Sequence, residues 1–306
     1  MTKPDAVMIV GAGVLQCPLI KEAQALGLLP LVTDRNPHAP AFRLPGVQGF
    51  VLDTSDIAGH EELMRDLMRM YQVRGVCTAG ADVAPTVATA SAIAGTLGIP
   101  FEVARVTHDK VMVRITLKNA GLQTYQPRYC ALLDDDRETG VSGIMAASIG
   151  FPLVVKPRAE RASRGLSLVE DSDGLAAALD KAFAIQQDDC ILLEEQLFGT
   201  EHSVEGIFGP DGSPLWFNIV DRFFDYSSGV PIETGHVNPS QLAPGIQDDI
   251  FMMLGETAQA LGVTWGPFKI DALVTPEGHP KVLEVTARLS GGWDCQGTSP
   301  LTGRHP

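Results

Sequence analysis

Short apolar runs alternate with helical periodicity through the first hundred residues, and this alternation constrains the fold more than any other feature of the chain. Val7-Met8-Ile9-Val10 ends at Gly11-Ala12-Gly13. A helix is predicted over 20–28, then an extended run Leu29-Pro30-Leu31-Val32-Thr33. Phe50-Val51-Leu52 and Gly75-Val76-Cys77-Thr78 read as two further strands. Between them Leu63, Met64, Leu67, Met68 and Tyr71 recur at helical spacing. A helix over 84–97, stopped at Gly98, completes the pattern. Strands separated by helices must be joined by crossovers, which makes them parallel. Residues 1–102 are therefore expected to form a Rossmann-like domain with a doubly wound sheet.

Past Pro100 the pattern changes. Residues 107–120 read as one helix with Gly121 as its left-handed stop, inside a connecting segment 103–126. After Pro127 come three strands, Leu153-Val154-Val155, Leu166-Ser167-Leu168-Val169 and Ile191-Leu192-Leu193. One amphipathic helix, marked by Leu175, Leu179 and Phe183, lies between the last two. This predicts a small α+β domain over 127–196. From Leu197 strands dominate again, broken by a helix whose face is Ile246, Ile250, Met253, Leu254, Thr257 and Leu261. The third domain, 197–306, is expected to be mostly antiparallel α+β. The fold class is thus α/β and α+β in three parts, with no repeat and no low-complexity tract.

Composition narrows the partners. The chain has 306 residues, 45% of them hydrophobic, enough to bury a substantial core, and a net charge of −14. That balance argues against DNA, RNA and anionic membranes as partners. No apolar stretch reaches the ~18 residues needed to cross a bilayer, and no signal peptide is expected at Met1. The cysteines Cys17, Cys77, Cys130, Cys190 and Cys295 are scattered, without a CxxC pair, so a reduced, cytoplasmic chain is expected. The histidines show no HExxH spacing, and zinc has no sequence support.

Two extended runs near the C-terminus, 268–275 and 281–289, flank Pro276-Glu277-Gly278-His279-Pro280 and predict a hairpin. With the turn centred between Glu277 and Gly278, Asp271 faces Glu284. Side chains so paired lie about 4.5–5.5 Å apart at Cβ, and like charges there are destabilising. Something positive should bind between them. Period two also puts Glu284, Thr286 and Arg288 on one face. Hard oxygens on two carboxylates, completed by phosphate, suit magnesium. A solvated strand face with a surface ion pair is the plainer alternative, and a one-residue slip would turn Asp271 away.

Lys156 ends an apolar strand, and Arg158-Ala159-Glu160-Arg161-Ala162-Ser163-Arg164-Gly165 joins it to the next. Backbone amides, a hydroxyl and three arginines on such a loop suit triphosphate oxygens; a solvated basic tip is the alternative. Lys110, after Asp109 at a helix start, could point at the same phosphates. Glu194-Glu195-Gln196-Leu197 follows a strand, with Glu201 four residues on. Its backbone could read an adenine edge and a carboxylate could accept ribose hydroxyls, although solvated acids at a strand end are commoner. Residues 229–240 read as a loop-rich stretch from which, with the preceding strand, Arg222, Glu233 and His236 could face an acceptor. His236 could take a proton from an amine; a structural His is the alternative. Gly291 and Gly292 would allow close backbone approach to a substrate, or form a plain turn.

These pieces, in this order, resemble the ATP-grasp superfamily over nearly the whole chain. Asp109-Lys110 looks like the family's first phosphate lysine. Lys156, with Ser163, Arg164 and Gly165, resembles its second lysine and phosphate loop. Glu194, Glu195, Leu197 and Glu201 resemble its adenine hinge and ribose acid. Asp271, Glu284 and Thr286 fall at its metal positions, and Arg288 where an arginine steadies the transferred phosphoryl or acyl phosphate. The resemblance implies an ATP-grasp fold whose lid is 127–196. It implies a carboxylate–amine ligase with a biotin-carboxylase-like layout, ATP and Mg2+ (or Mn2+) as cofactors, and Lys156 and Arg288 as catalytic groups. It also implies small-molecule carboxylate and amine substrates, and a homodimer. Thr286 stands where the family often has Asn, and Ala162 replaces a loop glycine. Further structure is expected beyond 301–306, so the third domain reads as shortened.

Two rivals remain open. Gly11-Ala12-Gly13 with Asp34 some twenty residues on invites a nicotinamide-dependent oxidoreductase, but Gln16 breaks GxGxxG. A nucleotide-binding module without catalysis is the other; magnesium-dependent ADP release would discriminate against it.

Overall fold

In the computed structural model the described residues are 2–137, 140–160, 164–185, 189–227, 231–291 and 294. They build three sheets. The first holds β1 (Asp5–Val10), β2 (Leu29–Asp34), β3 (Gln48–Val51) and β4 (Gln72–Cys77), all parallel, in the order β3-β2-β1-β4. Every residue of β1 after Asp5 is buried, as helices on both faces of a parallel sheet require. Those helices are α1 (Cys17–Ala25), α2 (Ile57–Met70) and α3 (Ala84–Ala94). Helix α1 begins three residues before the expected start because Pro18 is pre-set for a first turn. Helix α3 stops at Gly95, whose φ is +67°, and not at Gly98.

The connecting helix expected over 107–120 is α5 (Lys110–Asn119), and a second helix that the sequence reading lacks, α4 (Phe101–Thr107), precedes it. Asp109 divides them. Its backbone is extended and its Oδ1 accepts the Met112 amide at 3.0 Å, an N-cap that starts a new helix and sets Lys110 in its first turn.

The second sheet is antiparallel: β5 (Tyr129–Leu133), β6 (Leu153–Pro157), β7 (Ser167–Val169) and β8 (Cys190–Glu195), in the order β5-β8-β6-β7. Helices α6 (Val141–Ile149) and α7 (Leu175–Ile185) pack on it. Strand β5 and helix α6 are absent from the sequence reading. The helix is built largely of Gly, Ala and Ser, which carry almost no periodic signal.

The third sheet runs β11-β10-β9-β12-β13 and is wholly antiparallel. Its strands are β9 (Thr200–Phe208), β10 (Pro214–Asp225), β11 (Ile232–Val237), β12 (Gly266–Val274) and β13 (Pro280–Thr286). Helix α8 (Pro244–Leu261) covers one face with Ile250, Met253, Leu254 and Leu261 against Val204, Ile219, Phe268 and Ile270. Strand β11 corrects the loop expected over 229–240. It is an exposed edge strand, so its sequence shows no buried alternation, and pairing with β10 decides its conformation.

Hairpin register is as the sequence predicts where it matters. Lys269 faces Thr286, Ile270 faces Val285 and Asp271 faces Glu284. Toward the turn Ala272 pairs with Val282, so Leu283 is one residue too many and the strand bulges there. Among the described residues no helix is long and apolar enough to cross a membrane.

Gly199 joins the second sheet to the third with φ +156°. A Cβ there would collide with the Val274 carbonyl. We expect Gly199→Ala to lower unfolding free energy by about 2–4 kcal/mol in urea titration, through clash and backbone strain together.

Candidate functional site

A cleft opens between the second and third sheets. Of the residues singled out from sequence, Lys110, Lys156, Arg164, Glu194, Glu195, Leu197, Glu201, Arg222, Asp271 and Glu284 line it. Gly165 adjoins its wall at the start of the turn into β7, packed against Pro157. Thr286, Arg288, Glu233, His236 and Gly291 lie outside the lining. Ser163 and Gly292 fall outside the described residues.

Strand alternation builds the floor. One face of the third sheet packs on α8; the other carries Glu201, Ser203 and Glu205 of β9, Asn218 and Arg222 of β10, Lys269 and Asp271 of β12, and Glu284 and Thr286 of β13. The expected cations do meet the two acids, and they are side chains. Asp271 Oδ1 lies 2.5 Å from Lys269 Nζ and 2.9 Å from Arg222 Nη1. Glu284 Oε1 lies 3.1 Å from Lys110 Nζ. Burial alone would raise the Asp271 pKa, but Lys269 and Arg222 outweigh it and hold the carboxyl below its ordinary value. Lys269 went unread in the sequence, although it stands two residues before Asp271 on the same face.

Thr286 tests the fit of a metal. Its hydroxyl is buried without a hydrogen-bond partner, two residues after Glu284 on the same face of β13. Among the described residues no group of three or more His, Cys, Asp or Glu is arranged so that it could hold a metal ion by itself. This donor set suits an ion that takes its remaining ligands from phosphate and water, as Mg2+ does.

Lys156 projects from the end of β6. Its Nζ lies 2.5 Å from Glu194 Oε2, and Glu194 Oε1 is 2.5 Å from Arg114 Nε. Burial pushes the Glu194 pKa up, yet the charges of Arg114 and Lys156 prevail and hold it at about 2. The Glu194 side chain is therefore committed inside the protein, which leaves only its backbone for the adenine edge expected of residues 194–197. Arg114 sits on α5 and escaped the sequence reading. Its Nη1 and Nη2 donate to the carbonyls of Val282 (2.9 Å) and Leu283 (2.8 Å) at the bulge of β13. Glu195 is likewise engaged, at 3.0 Å from Arg128 Nε. Lys110 Nζ also donates to the Glu160 carbonyl (2.5 Å), and Asp109 Oδ2 takes Arg158 Nη2 at 2.7 Å, so the start of α5 is tied to the basic loop. Arg164 pairs with Glu160 at 3.4 Å.

Glu201 lies 3.7 Å from Arg222 Nη1 and 3.4 Å from the Tyr226 hydroxyl, and burial raises its pKa. Arg222 therefore has acids on three sides, the third being Glu233 at 2.5 Å from its Nε. It stands on the cleft floor beside Asp271. His236 departs from the expected proton acceptor. Asp294 (2.7 Å, at Nδ1) and Glu233 (2.7 Å, at Nε2) hold both ring nitrogens and raise its pKa to about 9. The ring is an imidazolium at neutral pH and has no lone pair to offer an amine.

Arg288 is not among the residues that line the cleft. Its Nε and Nη2 each lie 2.8 Å from Asp82 Oδ1, in the loop after β4. That pairing spans the first and third sheets and is reinforced by a bridge between Ala79 and Leu289. The close approach expected at Gly291 is to protein: a Cβ there would stand 3.4 Å from Gly80 Cα and 3.2 Å from Leu15.

The glycine turn after β1 packs on a protein side chain. Gln16 folds beneath it, 3.0 Å from where a Gly13 Cβ would be, and its amide donates to the Ala79 carbonyl. Asp34 Oδ2 accepts the Ala12 amide at 2.9 Å, so the acid is spent on the turn. The dinucleotide reading loses both its parts.

Residues 149–296 match the model of the ATP-grasp domain family. The D-alanine–D-alanine ligase of Actinobacillus succinogenes is 27% identical over 199 residues, covering 62% of this chain and 62% of that protein. That of Pelobacter propionicus is 38% identical over 145 residues, 45% of this chain and 44% of that protein. The chain thus spans less than two thirds of the length of these relatives. Among solved structures, an L-amino acid ligase from Bacillus licheniformis superposes with TM-score 0.75 at 22% identity, covering 96% of this chain and 69% of that one. A phosphoribosylglycinamide synthetase from Anaerococcus prevotii gives 0.72 at 19%, covering 94% and 69%. These superpositions establish a shared fold.

Glu194 makes acid stability measurable. Because its folded pKa of about 2 lies below the ordinary carboxyl value of 4.5, its contribution is complete above pH 4.5 and lost as pH falls toward 2. We expect Glu194→Gln to cost roughly 3–5 kcal/mol at pH 7, since Arg114 and Lys156 lose their counter-charge, and to flatten that acid limb in denaturant titrations.

Proposed function

We propose, from the match of residues 149–296 to the ATP-grasp domain family, that the chain is an ATP-dependent carboxylate–amine ligase. ATP would phosphorylate a carboxylate to an acyl phosphate with release of ADP, and an amine would then displace phosphate to form the C–N bond. The observation that carries this reading is the pair Asp271 and Glu284, set face to face on the cleft floor with Lys110 beside them and Lys156 in the opposing wall.

Phosphoryl transfer asks a protein for charge neutralisation and in-line placement more than for covalent help. Lys110 and Lys156 reach the cleft from different elements, so their ammonium groups can bracket a triphosphate. Arg222 adds a third cation from the floor. Asp271, Glu284 and the buried Thr286 hydroxyl would hold Mg2+, or Mn2+ in its place. The bound ion would supply Lewis-acid neutralisation of phosphate oxygens. Leu197 and the backbone of Glu195 lie where a base would enter, and Glu201 is the acid placed to accept ribose hydroxyls. The second sheet, with Lys156 and the basic loop, would act as a lid that excludes water from a labile acyl phosphate. Arg288, held by Asp82 where the first and third sheets meet, would reach the acyl phosphate from the substrate side. The named relatives act on D-alanine and L-amino acids, which puts amino acids first among substrates to try.

The decisive experiment is a screen of amino-acid and other carboxylate–amine pairs for coupled release of ADP and phosphate; nucleotide binding without release would leave a non-catalytic module. Glu284→Gln should abolish that turnover while circular dichroism stays unchanged, and a wild-type rate would remove the metal assignment. Lys156→Ala should weaken ATP binding at least tenfold by calorimetry, the equivalent of about 1.4 kcal/mol.

A further inference from the structure

A chain of charges of alternating sign runs from behind the floor to the cleft. Asp294 Oδ1 lies 2.7 Å from His236 Nδ1, and His236 Nε2 lies 2.7 Å from Glu233 Oε1. The same Glu233 oxygen lies 2.5 Å from Arg222 Nε, and Arg222 Nη1 lies 2.9 Å from Asp271 Oδ1. Its far end is fully enclosed: Asp294 is 0% exposed, and its Oδ2 accepts the Ser290 hydroxyl at 3.0 Å. Its near end lies over an aromatic ring, with the Arg222 guanidinium carbon 4.7 Å from the Phe224 centroid.

Neither Asp294 nor His236 lines the cleft, so the chain must act through Arg222 if it acts at all. Geometry shows what it would do. Glu233 Oε1 takes both Arg222 Nε and His236 Nε2, and Asp294 takes the other ring nitrogen of His236, so each member is held from two sides. The four charges from Asp294 to Arg222 cancel, so the relay adds no net positive charge; what Arg222 gains is a fixed geometric anchor at Nε. Cation binding by Asp271 would remove another of Arg222's partners, which makes the Glu233 side the lasting hold.

We propose that Asp294, through His236 and Glu233, is a positioning residue that holds the Arg222 guanidinium at the cleft with its charge directed to the nucleotide's terminal phosphate. The inference rests on the ligase reading for the identity of the ligand, but not for the existence of the relay. The raised pKa of His236 agrees with it: the hydrogen bond from Asp294 is the largest cause, that from Glu233 the next, and burial opposes both.

The test uses the whole chain with ATP and Mg2+ as the probe. Two quantities are read, the Arg222 Nε–H resonance by NMR and ATP affinity by calorimetry. The wild type should show a slowly exchanging Nε–H. Asp294→Asn should lose that signal and bind ATP about tenfold more weakly, the effect of loosening one charged hydrogen-bond partner. Asp294→Glu should restore part of both, which loss of packing alone would not do. A folded Asp294→Asn protein with wild-type signal and affinity overturns the proposal. So does one that loses only thermal stability. Should Asp294→Asn not fold, His236→Gln carries the same two readouts with the same meanings. If the wild type binds no ATP the ligase reading fails, while loss or retention of the Nε–H in Asp294→Asn still supports or overturns the relay.

Discussion

The buried set Arg114–Glu194–Lys156 is the interaction on which the geometry of the cleft depends. Arg114 and Glu194 are each 2% exposed at the side chain, and their contact joins α5 to β8. Lys156 adds β6, and the two carbonyls of β13 add the third sheet. A regular strand points successive carbonyls to opposite edges. Val282 and Leu283 can both reach Arg114 because the bulge at Leu283 breaks that alternation. Burying such charges costs several kcal/mol per ion, which hydrogen bonds at every nitrogen and oxygen partly offset. What the set secures is placement: one guanidinium fixes the second sheet, helix α5 and strand β13 in a single geometry.

The same bulge explains why the hairpin could be read correctly from its sequence. Counting from the turn assigns Asp271 to Glu284, and the structure pairs them so, although residues nearer the turn are out of step by one. Period two then delivers the whole floor, because a side chain's face in a strand follows from its number alone. Positions that depend on distant partners were not legible in this way. Arg114 reads as an ordinary surface residue of an amphipathic helix, and nothing local marks Glu194, 80 positions away, as its partner. Arg288 meets Asp82 across 206 positions. The engagement of the Glu194 side chain was hidden for the same reason: only the buried cations on either side, Arg114 and Lys156, show that its charge is already taken. Strand β11 was lost because an exposed edge strand has no hydrophobic pattern to read.

A chain of net charge −14 can gather an anionic ligand because its cations are stored with acids at the site itself. Lys110 is held by Glu284, Lys156 by Glu194, and Arg222 by Asp271, Glu201 and Glu233. Each pair keeps a long side chain in place, so little ordering entropy is left to lose when a phosphate arrives. The pairs differ in what an incoming ligand can do to them. Glu194 is enclosed and bonded on both oxygens, so Lys156 keeps its anchor. Asp271 and Glu284 face each other and the cleft, so a divalent ion between them would compete directly with Lys110, Lys269 and Arg222 for their oxygens.

That difference orders the events of binding. An ion drawn to Asp271 and Glu284 would displace ammonium and guanidinium groups by a short distance, and the nearest new partners for them are the phosphate oxygens that accompany the ion. The cations would thus be handed from carboxylate to phosphate without passing through bulk water, and preorganised charge of this kind stabilises a transferring phosphoryl group. Arg222 differs from the lysines in having a fixed acid behind it. A guanidinium that lost Asp271 with no second hold would be free to swing on its stem; Glu233, backed by His236 and Asp294, keeps Nε in place while Nη1 changes partner. The third sheet therefore supplies both halves of the site on one surface: acids that can exchange their partners at the cleft, and acids behind them that cannot.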